Sequence, residues 1–246
     1  MKYFLLHGFW GQGKNWYWGE FLKNLKFLEG KNVSFGKWLH SEDSSFVGKI
    51  SLEEYYQDIR RQVIELGEKP VVIAHSTGCG FALKLASEGL TREIILLAPS
   101  APRGRMLYVS VIRTFWTVML PGFWNREIRL SRKKAIYAML HRLSPESQDF
   151  IYQNLVPASG RALAQIGFPD FDGEFFRNLK ISKKIYIVSA GNDRVAKSGK
   201  IAKKICKQFP ETIHINLKDA CHFLLAGPDC ETVALYVDFF LTKIGE

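Results

Sequence analysis

Short apolar runs recur along this chain, each followed by a longer stretch whose apolar residues fall at helical spacing, and that alternation decides the fold class. Strands are predicted near residues 3–6, 32–37, 70–75, 93–98, 184–189 and 211–217, and helices near 14–28, 51–67, 77–89, 197–208 and 229–243. A continuous β-branched run such as Val71-Val72-Ile73 suits a strand covered on both faces, as in a parallel sheet. Together these elements predict an α/β fold, a doubly wound, mainly parallel sheet of six strands. The 246 residues, 47% of them hydrophobic, suffice for a full core in one domain or one domain with a large insertion. The alternation stops between Ser100 and about Lys180. There, "RMLYVSVIRTFWTVML", "SRKKAIYAMLHRL" and "SPESQDFIYQNL" carry helical spacing, with Ser131 and Ser144 as N-caps and Pro121, Pro157 and Pro169 as breaks. The expected division is a core of residues 1–100 and 181–246 and a helical cap of residues 101–180.

One turn in the core is chemically suggestive. In "PVVIAHSTGCGFALKLA", residues 70–86, the strand gives way to a helix around His75, Ser76 and Thr77. Reversal within so few residues crowds the backbone, so the positions two before and two after the pivot must be small, and they are Ala74 and Gly78. Such a turn projects Ser76 out of the sheet, at the positive end of the following helix. A serine in that place otherwise serves only as an N-cap. A nucleophilic role needs a base, a group that orients the base, and donors for an oxyanion.

Each partner has a candidate. The N-terminal "KYFLLHGFWGQGKNW" reads as a strand ending in His7-Gly8, then a Gly-rich loop leading to a helix near Lys14. "KKIYIVSAGNDRVAKSGKIAKKI" is a strand, then Gly191-Asn192-Asp193, then a helix. "ETIHINLKDACHFLLAGP" is the last strand and a loop bearing His222. An acid at the C-terminal end of a parallel strand faces the same sheet edge as Ser76. His-Gly after the first strand resembles the oxyanion loop of the α/β-hydrolase superfamily, and the order Ser76, Asp193, His222 is the chain order of that superfamily's triad. The resemblance implies Ser76 as nucleophile, His222 as base and Asp193 as orienting acid. It also implies the backbone NH groups of Phe9 and Thr77 as oxyanion donors, with Trp10 beside the pocket. Ala74 stands where the superfamily usually carries glycine. The family usually opens with an antiparallel hairpin, whereas here the chain begins at the His-Gly strand, so a minimal core is expected.

Six histidines compete for the role of base. His75 lies inside the turn, His214 within a strand, and His40 and His141 lack a strand-end context, while His7 reads as a brace for its loop. Asp219 competes as the acid by nearness to His222, but an orienting carboxylate normally approaches from a separate strand end. An inserted cap at this point resembles the lid of esterases, haloperoxidase-like enzymes and carbon-carbon bond hydrolases. Its aromatics Phe115, Trp116, Phe123 and Trp124 are candidates for an apolar pocket lining as well as for cap core.

The net charge of +10 is spread over core helices and cap without a nucleic-acid module, which reads as a solvated surface. Arg126, Arg129, Arg132, Lys133 and Lys134 of the cap are placed to steer an anionic substrate or rest on a lipid surface. Met106 to Trp124 is interrupted by Arg113 and Pro121, so no membrane insertion is expected, and the start shows no signal peptide. Cys79, Cys206, Cys221 and Cys230 show no metal spacing and read as reduced thiols in a cytoplasmic protein. The expected function is a serine carboxylesterase acting on a small-molecule ester of short to medium acyl chain, with no cofactor and no metal. A lipase, thioesterase or carbon-carbon bond hydrolase would use the same residues, and a non-turnover receptor on the same fold is the alternative of another class.

Overall fold

The structure is a computed structural model that describes residues 1–12, 15–39, 44–100, 121–167 and 178–245. Its main sheet has six strands: β1 (Tyr3–Leu6), β2 (Val33–Phe35), β3 (Val71–His75), β4 (Ile94–Leu97), β7 (Ile185–Ala190) and β8 (Ile213–Leu217). Two short strands, β5 (Glu127–Ile128) and β6 (Ala158–Ser159), pair antiparallel elsewhere. The sheet order is β2-β1-β3-β4-β7-β8 and every pairing is parallel. All six predicted strands are present, their ends within about two residues of the pattern in the sequence, because each apolar run is bounded by polar or turn residues. Every residue of β1, β3, β4 and β7 is buried, while β2 and β8 form the half-exposed edges.

Connections are made by α1 (Asn15–Asn24), α3 (Leu52–Glu65), α4 (Gly78–Ser87) and α8 (Ser198–Gln208), and α9 (Cys230–Gly245) closes the chain; a short helix, α2 (Ser44–Val47), precedes α3. The chain runs from β1 out to the edge at β2, then crosses back to β3 on the other side of β1. Right-handed crossovers therefore put α1 on one face and α3, α4 and α8 on the other. Accordingly α1 packs on α9 and α3 on α4. Trp18 and Phe21 of α1 are fully buried, as are Tyr56 of α3 and Phe81 of α4. Side chains of this size contribute ~1.5–3 kcal/mol each by leaving water. The reversal of strand order between β1 and β3 leaves their C-terminal ends side by side, which is where an open α/β sheet has its crevice.

One predicted helix is altered by a neighbour distant in sequence. The stretch 14–28 is α1 followed by a 3-10 turn, Lys26–Leu28, because the Asp238 carboxylate of α9 accepts the N–H groups of Lys26 (3.1 Å) and Phe27 (2.9 Å). Ser51 and Glu54 form a reciprocal capping box that starts α3.

Between β4 and β7 the described residues form an insertion that is mostly helical. It contains α5 (Arg132–Ala135), which runs into a π turn, Ile136–Leu140, then α6 (Pro145–Asn154) and α7 (Gly160–Gly167). Ser144 caps α6 by accepting from Ser147 N–H, whereas Ser131 occupies the N-cap position of α5 without a side-chain cap bond. The insertion is fastened to the core by backbone contacts. Val156 N–H donates to Trp10 O at 3.0 Å and Phe223 N–H to Met139 O at 3.2 Å. Among the described residues no helix is long and apolar enough to cross a membrane.

Candidate active site

The turn after β3 places Ser76 at a φ of 55°, a left-handed conformation that costs a non-glycine residue of order 1–3 kcal/mol. Its neighbours leave no room for larger residues. A Cβ on Gly78 would lie 2.6 Å from Leu6 O and 2.7 Å from His7 O, and a Cβ on Gly8 would lie 2.6 Å from Ser76 Cβ. The end of β1 is thus pressed against the serine turn. The methyl of Ala74 is accommodated in the fully buried interior.

Above this turn three sequence-distant residues meet. Ser76 Oγ and His222 Nε2 are 2.8 Å apart, and His222 Nδ1 is 2.8 Å from Asp193 Oδ2. Asp193 is fully buried, His222 is 2% exposed and Ser76 7%. The loop after β7 folds around the carboxylate. Val195 and Ala196 donate their N–H groups to Oδ1 at 2.8 and 2.9 Å, and Ser198 N–H donates to Oδ2 at 3.2 Å. Burial alone would raise the Asp193 pKa, but the His222 ring and these donors outweigh it and hold the carboxyl at about 2. An ionised Asp193 only accepts, so the His222 hydrogen resides on Nδ1. The Nε2 lone pair is then free to take the Ser76 hydroxyl hydrogen. Asp219, the competing acid, is exposed on the turn after β8.

Among the described residues no backbone carbonyl takes up the N–H of Phe9 or of Thr77. Both residues are chain neighbours of the Gly8–Ser76 contact. His7 donates Nδ1–H to Gly8 O at 2.9 Å and stacks on Trp38, matching its expected bracing role. Trp10, expected beside the pocket, is 6% exposed, and its indole donates to Ile128 O of the insertion at 3.0 Å. Phe123 is buried within the insertion. Trp124 lines a surface cavity of about 330 Å³ with Lys49, Asn125, Arg161 and Gln165, a cavity to which Ser76, Asp193 and His222 do not contribute. Phe115 and Trp116 lie outside the described residues, as does His40. A residue the sequence reading passed over, Ser100, has its Oγ 3.4 Å from Ser76 Oγ and 3.2 Å from Thr77 Oγ1. The only signal for it was its place at the end of the β4 run.

His75, beside the nucleophile turn, titrates far from its usual range. Burial, reinforced by His222, depresses its pKa from 6.5 to about 3. Between those values the unfolded chain binds a proton that the native protein refuses. Stability therefore falls as pH drops below 6.5, by up to about 1.4 kcal/mol per pH unit from this residue, and the fall ends near the folded value. The urea midpoint is expected to drop more steeply between about pH 7 and about pH 5 for the unsubstituted chain than for His75→Gln. Equal slopes would contradict a neutral, buried His75.

A model of the alpha/beta hydrolase family matches residues 3–229 of this chain. Comparison with curated proteins by sequence finds no match. Among solved structures, a methylesterase from Arabidopsis superposes with a TM-score of 0.72 at 13% identity, covering 98% of this chain and 99% of that one. A monoacylglycerol lipase from Paleococcus ferrophilus gives a TM-score of 0.70 at 18% identity, with coverage of 99% and 94%. A polyneuridine aldehyde esterase gives 0.66 at 15% identity, with coverage of 100% and 99%. At these identities the likeness is one of fold.

Proposed function

The chain belongs to the alpha/beta hydrolase family, and we propose that within it the protein is a serine carboxylesterase acting on short- to medium-chain esters. One observation carries the reading: the buried line from Ser76 Oγ through His222 to Asp193, with 2.8 Å at each link. In this reading residues 101–180 form a cap over a core of residues 1–100 and 181–246. His222 Nε2 takes the hydroxyl hydrogen of Ser76 as Oγ attacks the ester carbonyl. The N–H groups of Phe9 and Thr77 hold the oxyanion, and His222 passes its proton to the leaving alcohol. Water, deprotonated by His222, then attacks the acyl-enzyme, and the carboxylic acid leaves as Ser76 regains its hydrogen. Asp193 holds the His222 tautomer and stabilises the ring while it is charged. The names of the methylesterase and the monoacylglycerol lipase agree with a carboxylic ester substrate. Four free cysteines fit a reducing, cytoplasmic setting.

Hydrolysis of p-nitrophenyl acetate, butyrate, octanoate and palmitate tests the acyl preference. In this reading butyrate is expected to be turned over at least roughly tenfold faster than palmitate. A preference for palmitate would replace the esterase reading with a lipase. Tight ligand binding without turnover of any ester would replace it with a receptor.

A further inference from the structure

His75 and Tyr17 take no part in the chemistry just described, yet they touch both loops that carry it. Tyr17 of α1 is 3% exposed and His75 at the end of β3 is 1% exposed. His75 Nε2 lies 3.0 Å from the backbone carbonyl of His222, and its Nδ1 lies 2.6 Å from Tyr17 Oη. A carbonyl oxygen only accepts, so Nε2 carries the ring hydrogen, Nδ1 is a lone pair, and the Tyr17 hydroxyl donates to it. The phenolic oxygen in turn accepts the N–H of Gly8 at 3.3 Å. Every donor in this line has one acceptor, and every hydrogen is assigned by the chemistry of its neighbour.

The ends of the line are telling. One is Gly8, whose neighbour Phe9 supplies an oxyanion N–H; the other is the backbone of His222, the base. The two segments follow β1 and β8, the latter an edge strand of the sheet, and the ring that joins them belongs to the residue immediately before Ser76. Phe223 packs edge-on against both rings, 5.1 Å from Tyr17 and 5.8 Å from His75, and keeps water from competing for the bonds.

We propose that His75 and Tyr17 are positioning residues for hydrolysis, a buried relay that holds the His222 backbone and the Gly8 backbone that leads into Phe9 in register with the Ser76 hydroxyl. The inference rests on the reading of Ser76 and His222 as the reacting pair. The relay acts through geometry, since a displacement of about 1 Å at a reacting group can cost on the order of 100-fold in rate. It moves no proton during turnover.

The test compares His75→Leu, His75→Gln, Tyr17→Phe and Ser76→Ala with the unsubstituted protein on p-nitrophenyl butyrate, with thermal midpoints for all. His75→Leu is expected to lower kcat about 10- to 100-fold with KM within about twofold. His75→Gln, whose side-chain amide can donate to the His222 carbonyl, is expected to recover at least about tenfold of that loss at a comparable thermal midpoint. Tyr17→Phe, a one-oxygen deletion that serves if the leucine variant does not fold, is expected to lower kcat about 3- to 10-fold. Folded His75→Leu and Tyr17→Phe proteins with unchanged kcat would overturn the relay, as would a kcat for His75→Gln no better than that for His75→Leu. If the unsubstituted protein and Ser76→Ala hydrolyse the ester equally, the reacting pair itself fails, an outcome distinguishable from failure of the relay.

Discussion

Replacing Ser76 with alanine is expected to lower kcat for p-nitrophenyl butyrate by roughly 10³- to 10⁶-fold, with KM little changed and a native thermal midpoint. The size follows from what one oxygen does in this site. Without Oγ there is no atom to carry the acyl group, and His222 Nε2 loses the donor that lies 2.8 Å away. What survives is catalysis by the oxyanion amides and by substrate binding, which acts on an attacking water. Folding should tolerate the change, because alanine keeps the Cβ that the neighbourhood of Gly8 already accommodates. The removed hydroxyl otherwise contacts Ser100 at 3.4 Å, a weak bond. A variant that retains turnover within a few-fold of the unsubstituted protein would remove Ser76 from the reaction.

Asp193→Asn is expected to cost about 10³- to 10⁴-fold in kcat and, unlike the serine change, to lower stability as well, by about 1–3 kcal/mol. The carboxylate receives four donors: the N–H groups of Val195, Ala196 and Ser198, and His222 Nδ1–H. An asparagine has one oxygen and one NH2 group. If its oxygen faces Val195 and Ala196, its NH2 faces Nδ1 and drives the His222 hydrogen onto Nε2, where it blocks acceptance of the Ser76 proton. If its oxygen faces His222, the NH2 opposes two backbone N–H groups in a fully buried pocket. Either way something buried is left unpaired. Urea denaturation and steady-state kinetics on the same preparation measure both effects. A variant as active and as stable as the unsubstituted protein would mean that another carboxylate orients His222.

Much of this arrangement was legible in the sequence for local reasons. β-branched runs bounded by turn residues located the strands, and the small residues at 74 and 78 marked the Ser76 turn. The strand-end positions of Asp193 and His222 put them on the sheet edge that Ser76 faces. The features that escaped depend on partners far along the chain. Asp238 breaks the first helix at Lys26 from 212 residues away, and nothing within residues 14–28 announces it. His75 looked like the variable residue of a turn because its partners, Tyr17 and the His222 carbonyl, lie 58 and 147 residues away. Trp10 was expected beside the pocket. What the sequence did not announce is that its indole, at a backbone φ of 62°, donates to the carbonyl of Ile128, a contact set by an insertion whose packing no local pattern encodes.

The most direct measurement is covalent: a fluorophosphonate ester mixed with the protein, followed by intact mass and peptide mapping. Serine Oγ displaces fluoride from phosphorus, with His222 accepting the proton, and the adduct mimics the tetrahedral intermediate. The expected result is one adduct per chain, on the peptide containing Ser76, absent from Ser76→Ala and formed orders of magnitude more slowly in His222→Ala. An unlabelled protein, or a label that maps to Ser100 and persists in Ser76→Ala, would contradict the assignment of Ser76 as nucleophile.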